Sequence, residues 1–400
     1  MMPNQFERTD VLEQSFPLRP GGRLEVNQDV GRVEVTAWER DEAIMRATKR
    51  ARGGGDEDAR RNLQRLRLET HLHGDLLEVE ASVPRGFFGT ATGMRVDLEI
   101  KVPRRTRVKV DSASGDVVVE GVEGAVEVDV ASGGVSLRGI GPRINVDTGS
   151  GNVSLEDGRG PVELDTGSGA VRVVRVAGRL QVDTGTGRVE VDGLDGELHV
   201  DTGMGAVTAV GVRGDVVVDT GGGDVRLARV DARRIDVDTG RGSIACDFVP
   251  RADGRYKFDT GTGGIELAVP LSASAELDLE SDTGRAECAL PLLNRDSGRG
   301  RLRGVIRRAA SIIVCRSGLG DISVSAGEEP AVEGPDGPAL ELAPAESVPA
   351  PASSGSAPEA RAARADDEDY VKVLKMVEEK RITPEAAEEL LKALEEDESK

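Results

Sequence analysis

Large aromatic side chains are almost missing from this chain: they make up 2% of 400 residues, and Trp38 is the sole tryptophan. A bulky globular interior is thereby excluded, and the prevalence of valine beside 51 glycines points to narrow, pleated packing with many turns. Cysteine is equally scarce. Cys246, Cys288 and Cys315 are far apart, odd in number and form no CxxC pair, which argues against both a disulfide framework and a zinc site. Bases are outnumbered by acids, 52 to 72, and the net charge of -20 lacks the clustered Lys and Arg that nucleic acids and anionic membranes require. No apolar core follows a basic start in MMPNQFERTDVLEQSFPLRPGG, and no stretch approaches the roughly 18 apolar residues of a membrane span. A soluble chain with no membrane span and a cytoplasmic localisation is expected.

What is present is a repeat. The phrase Asp-Thr-Gly begins at Asp147, Asp165, Asp183, Asp201 and Asp219, at an interval of 18 residues. Degenerate versions precede it at Asp111 and Asp129. Two more follow at Asp238 and Asp259 after intervals of 19 and 21, and a fainter one lies at Asp282-Thr283-Gly284.

In the unit Asp183–Val200, Val189 and Val191 alternate with charged residues, as do Leu198 and Val200, the period of two of a half-buried strand. Each unit thus reads as turn, strand, turn, strand. Gly149, Gly151 and their equivalents suit corners of positive φ. Four or five buried Val or Leu side chains at about 1.5–3 kcal/mol each do not offset the ordering of eighteen backbones at about 1–2 kcal/mol each. One coil cannot fold alone, whereas a stack that shares hydrogen bonds can. The predicted class is therefore all-β, a parallel β-solenoid of 18-residue coils over 106–325, with two or three sheets per coil left open.

Residues 1–105 read as a less regular β-rich N-terminal cap, with half a coil at Gly31–Val35 and Trp38 as a plug for the stack. Within the cap the pattern predicts a helix over Asp56–Leu66 and strands over Leu76–Val83 and Met94–Val102. Residues 326–367, rich in Pro, Ala, Glu and Ser, read as a disordered linker. Residues 368–400 read as a helical hairpin. Val371, Leu374 and Val377 share one helical face, Thr383 caps a second helix opened by Pro384, and Ala387, Leu390, Leu391 and Leu394 form its apolar stripe. A hairpin this small calls for a protein partner or for self-association.

Asp-Thr-Gly is also the active-site phrase of pepsin-like proteases, where two aspartates converge on one water. Strict repetition places these aspartates in a row instead, which argues against that chemistry. Adjacent carboxylates about 4.8 Å apart repel by roughly 1 kcal/mol in water. One expected answer is an Asx turn, each Asp accepting from its own turn's N–H groups beside a ladder of Thr hydroxyls. The other is a cation ladder of the calcium β-roll kind, although most units lack its GGxGxDxUx phrase. Glu69, His71 and His73 would share one strand face, and an exposed polar face is favoured there over a metal site. His199 is the only histidine of the array, and the GxG phrases precede no helix. No catalytic, cofactor-binding or metal-ligating residue is assigned, and no cofactor is expected.

The segment GDVVVEGVEGAVEVDVASGGVSL, the DTGSG array and GRVEVTAWERDE resemble the DUF4097 family of bacterial proteins, often labelled provisionally as adhesins. The resemblance covers about residues 20–325 and implies a β-helix-like fold with no established catalytic residues. The tail YVKVLKMVEEKRITPEAAEELLKAL is similar to the SHOCT-related helical module that accompanies such repeats in proteins tied to cell-envelope stress, which implies oligomerisation or partner docking. The leading expectation is a non-enzymatic cytoplasmic scaffold or interaction protein with the solenoid as binding surface. An exported adhesin or envelope-polymer-binding module is the alternative, and a polysaccharide lyase or protease the third.

Overall fold

A computed structural model describes residues 6–86, 89–90 and 93–327. The chain divides into two units, Met1–Ala331 and Val332–Lys400, and every described residue lies in the first. Ala326 and Gly327 end the last strand, Ile322–Gly327. The rest of the expected linker and the whole expected hairpin lie outside the described residues.

Each coil has two strands and the stack two sheets, of 15 and 16 strands. One coil runs through Leu180–Thr186, a corner at Gly187, Val189–Asp195 and a second corner at Gly196. The next coil stacks on it in parallel, Leu180 beside Leu198, Asp183 beside Asp201 and Val189 beside Val207. Leu180, Val182, Val189 and Val191 point inward, as the alternation predicts, and form ladders with their equivalents in a core between the sheets. One further ladder was not foreseen. Gly121, Gly139, Asp157, Arg175, Gly193, Gly211 and Arg229 stand 18 apart with φ between 52° and 73°. This left-handed residue breaks the alternation, so the next residue also turns inward and Val176, Leu194, Val212 and Val230 are buried.

The two glycines of each Asp-Thr-Gly-x-Gly phrase do different work. Gly169 holds a corner at φ 149°, where an added Cβ would lie 2.0 Å from the Gly151 carbonyl oxygen. Its N–H donates to Thr186 O of the next coil at 3.0 Å. Gly167, by contrast, lies within the strand Val162–Ser168, where a Cβ would come within 2.6 Å of Gly149 O. The expected turn at Asp-Thr-Gly is therefore corrected. The phrase is the end of a strand, and the corner falls one residue beyond Ser168.

Trp38 does not plug the stack. It is half-buried beside a turn, donating from Nε1 to Glu42 O at 2.8 Å with the Arg40 guanidinium 4.9 Å above its ring. The ends are closed by backbone instead. Arg23–Val30 and Val33–Trp38 form a full coil, stacked on Arg107–Ser114 and Val117–Glu120. The chain then leaves the stack through Ala43–Gly53, the helix Asp56–Arg65 and Arg67–His73. It returns as Leu76–Ser82 and Met94–Pro103, which form the outer coil. Beyond them Arg67–His73 pairs antiparallel with one sheet, and Ala43–Gly53 followed by Phe6–Phe16 with the other. The far end mirrors this. Ile312–Leu319 and Ile322–Gly327 insert inside the coil formed by Ala275–Ser281 and Ala286–Cys288, and Arg301–Ile306 and Leu293–Gly298 close that side antiparallel. Open parallel edges, with their unpaired N–H and C=O groups, are thus covered in both sheets at the near end and in the 16-stranded sheet at the far end, where the other sheet stops on the short strand Ala286–Cys288.

Threonine of the repeated phrase faces the core, and Thr148, Thr166, Thr184, Thr202, Thr220, Thr239 and Thr260 are all buried. Thr260 Oγ1 donates to Gly242 O at 2.9 Å, whereas the Thr184 hydroxyl has no hydrogen-bond partner. Val130 occupies the same column. Thr260→Val is expected to lower stability by about 1 kcal/mol, while Thr184→Val is neutral or stabilising by up to about 1 kcal/mol. Urea unfolding of the two variants checks the contrast; equal losses would contradict it. Gly169→Ala, strained in backbone and blocked by the neighbouring carbonyl, is expected to cost at least about 1–3 kcal/mol in the same measurement.

Candidate functional site

Because the strands stack in register, the aspartates of successive units align. Asp111, Asp129, Asp147, Asp165, Asp183, Asp201, Asp219, Asp238 and Asp259 are neighbours on nine consecutive strands of the 16-stranded sheet. At the strand spacing the row is about 38 Å long. Asn27 precedes it and Arg316 follows it. Asp282 is not part of it, since Glu280 takes the position beyond Arg316. All nine side chains alternate with buried neighbours and face outward. Beside them runs a column without side chains, Gly149, Gly167, Gly185, Gly203, Gly221 and Gly240, whose bareness is enforced by the adjacent carbonyl oxygens.

Other outward columns change sign between neighbouring coils. Lys109 pairs with Glu127 at 2.7 Å, Arg138 with Glu156 at 2.7 Å and Arg172 with Glu190 at 3.0 Å, each across one coil step. The aspartate row does not. Burial against the sheet raises the carboxyl pKa of Asp165, and the flanking charges of Asp147 and Asp183 raise it further. Asp238 is raised in the same way, by burial and then by Asp259. Among the described residues, cations relieve the row near its two ends: Lys257 Nζ lies 2.9 Å from Asp259 and also opposes the rise at Asp238, and Lys109 opposes the rise at Asp111.

The expected Asx turns are absent at these aspartates, because an outward strand side chain cannot reach its own turn. The equivalent bonds occur one corner later. Asp116, Asn152, Asp224 and Asp321 follow the corner glycines and accept from the N–H of Gly134, Ala170, Ser243 and Arg285 in the adjacent coil, at 2.8–2.9 Å. The recurrent Gly-Asp and Gly-Asn pairs were the signal for them. The coil Ile312–Gly327 was also legible, in Arg316-Ser317-Gly318-Leu319-Gly320, with Arg and Ser in place of Asp and Thr.

Glu69, His71 and His73 do share the exposed face of an edge strand; the imidazoles are stacked with centroids 6.1 Å apart, and Glu69 lies 3.9 Å from His71. Among the described residues no group of His, Cys, Asp and Glu is placed to hold a metal ion. His199 is exposed in the column beside the aspartates. Cys246 and Cys315 are free and buried, and burial pushes both thiols up. No helix among the described residues is long and apolar enough to cross a membrane.

In-register parallel coils with a repeated outward pattern define a β-solenoid repeat protein. More narrowly, residues 23–213 match the model of the Toastrack DUF4097 family, and residues 368–399 match a SHOCT-like domain. Among solved structures the chain is similar to a provisionally described cell adhesion protein from Clostridium sporogenes, at 11% identity over 79% of this chain and 100% of that one, with a TM-score of 0.20. A provisionally described adhesin from Bacteroides fragilis matches at 10% over 79% and 97%, with a TM-score of 0.25. A provisionally described lipid-binding protein from Parabacteroides distasonis matches at 10% over 80% and 97%, with a TM-score of 0.27. No curated protein matches the chain.

A raised carboxyl pKa means that the native state takes up a proton more readily than the unfolded chain. The contribution of Asp165 and Asp238 is therefore most favourable in acid and is lost as pH rises through the raised value. Asp165→Asn is expected to stabilise the protein at pH 7, by less than about 1 kcal/mol because the row is exposed and screened. That gain should vanish below about pH 3, where both states of the parent are protonated. Asp278, held low by the Arg303 guanidinium, gives the opposite sign: Asp278→Asn destabilises at pH 7 and ceases to do so in acid. Thermal melts across pH test both.

Proposed function

We propose that the chain is a non-enzymatic bacterial scaffold or interaction protein of the cytoplasm, linked to cell-envelope stress, whose solenoid is the binding surface. The SHOCT-like segment would serve oligomerisation or partner docking. The observation that carries the reading is the aspartate row. Nine carboxylates lie side by side on one outward face, bordered by bare glycine backbone, and they repel one another with few internal counter-ions. Carboxylates kept at such a cost, with corner hydrogen bonds made by other residues, suit a long surface for a basic protein partner. Side-by-side placement does not suit acid–base chemistry, which needs two groups facing one reacting atom.

The test is partner capture by the full chain, the triple variant Asp165→Asn, Asp183→Asn, Asp201→Asn, and a deletion of residues 368–400. The triple variant is expected to lose a salt-sensitive set of partners while keeping its melting behaviour. The deletion is expected to lose oligomeric mass or a different set. Unchanged capture and mass in both would overturn the reading, as would recovery of the native protein mainly from the cell surface or medium.

A further inference from the structure

The strand Phe6–Phe16 closes one sheet, and its outer edge is unlike the other edges. Ala286–Cys288 is short, Leu293–Gly298 has a register shift between Leu293 and Asp296, and Arg67–His73 is seven residues long with Glu69, His71 and His73 exposed. Such devices keep sheet edges from pairing. Phe6–Phe16 has eleven residues in unbroken register with Ala43–Gly53 and exposes Phe6 (45%), Val11 (49%) and Leu12 (37%). Its charges are answered within the molecule. Glu7 bonds Arg52 at 2.9 Å and Arg8 bonds Asp56 at 2.6 Å, while Asp10 and Glu13 stand opposite Lys49 and Arg46.

Which backbone groups are free follows from parity, because in an antiparallel strand the N–H and C=O of one residue point to the same side. Arg52 N–H donates to Gly93 O, so the even residues of Ala43–Gly53 bond away from Phe6–Phe16 and the odd ones toward it. Ala51 and Lys49 stand opposite Arg8 and Asp10. Even residues of Phe6–Phe16 therefore bond inward. Among the described residues nothing pairs with the outward N–H and C=O groups of Glu7, Thr9, Val11, Glu13 and Ser15.

We propose that this edge pairs antiparallel with the same strand of a second copy, in a two-fold register centred on Val11, joining two solenoids through one continuous sheet. In that register Val11 faces Val11, Phe6 faces Phe16, Arg8 faces Gln14 and Thr9 faces Glu13, and no like charges meet. A centre one residue earlier sets Asp10 against Asp10 and Glu7 against Glu13, which like-charge repulsion disfavours. A centre one residue later leaves Phe6 and Glu7 without partners. Val11 is an outward-bonding residue, so the symmetric pair exchanges two hydrogen bonds.

The experiment uses the full chain carrying Cys288→Ala, so that the remaining native thiols are the buried Cys246 and Cys315. With a short bismaleimide, V11C is expected to bridge to itself. T9C and E13C are expected to bridge poorly alone and efficiently when mixed. By light scattering, V11K and V11E should each halve the native assembly mass, the chain being 42.2 kDa, and their equimolar mixture should restore it. V11P, which removes an outward donor only, should halve the mass with an unchanged circular dichroism spectrum. Bridging indifferent to position, or a mass unaffected by V11K and V11P, would overturn the proposal. Because the position-dependent bridging reads contacts of this strand alone, it separates from the outcome of the tail deletion.

Discussion

The structure depends on one repeated contact, the backbone hydrogen bond between residues a coil apart at the corners. Gly151, Gly169 and Gly187 each donate to a carbonyl of the next coil at 2.9–3.0 Å, and Gly160, Gly178 and Gly196 do the same at the second corner at 2.8–2.9 Å. At this approach there is no room for a Cβ, as the 1.9–2.2 Å clearances to the neighbouring carbonyl oxygens make plain. The glycine positions therefore fix the stacking distance, and stacking distance fixes everything outside it. Side chains of equal position are forced into columns, whether or not their chemistry favours company.

That constraint sorts the surface. Several outward columns accommodate it by setting opposite charges a coil apart, so that Lys109 meets Glu127, and Arg179 meets Glu197. Inside, the same logic gives valine and leucine ladders and one column of buried hydroxyls. Those near the far end bond corner carbonyls, Thr239 to Gly223 and Ser317 to Gly263, while those in the middle lack acceptors. The wider coils near Asp259 need bulk, which Phe248, Tyr256 and Phe258 supply with centroids 4.6 and 5.8 Å apart. Within residues 106–325 these three are the only aromatics, and they lie where the interval departs from 18.

Repeats, strand alternation, the helix at Asp56 and the alignment of the aspartates were legible in the sequence because each is local or strictly periodic. The Asp-Thr-Gly turn was misplaced for a physical reason: glycine within a strand, required by a neighbouring carbonyl, carries the same letter as glycine at a positive-φ corner. Asp157, Arg175 and Arg229 in the left-handed column carry no residue-type signal at all. At the near end the strands at Val33, Leu76 and Met94 could be read but not the order in which they stack, and the far closure could not be read at all, since the outer coils are built from chain that doubles back. The size of Trp38 is no guide to its burial, and Leu18, Leu24 and Met45 are among the side chains fully buried at that end.

Doubling back has a consequence for how such a molecule can change length. The closing strands come from residues before Arg107 and after Pro270, and the coils between them follow one another in simple order. A gain or loss of one unit between Asp129 and Asp219 would shift the stack by a single strand spacing, about 4.8 Å, and leave both closures untouched. The array behaves as an adjustable ruler held between two fixed stops, with the number of carboxylates in the row as its graduation.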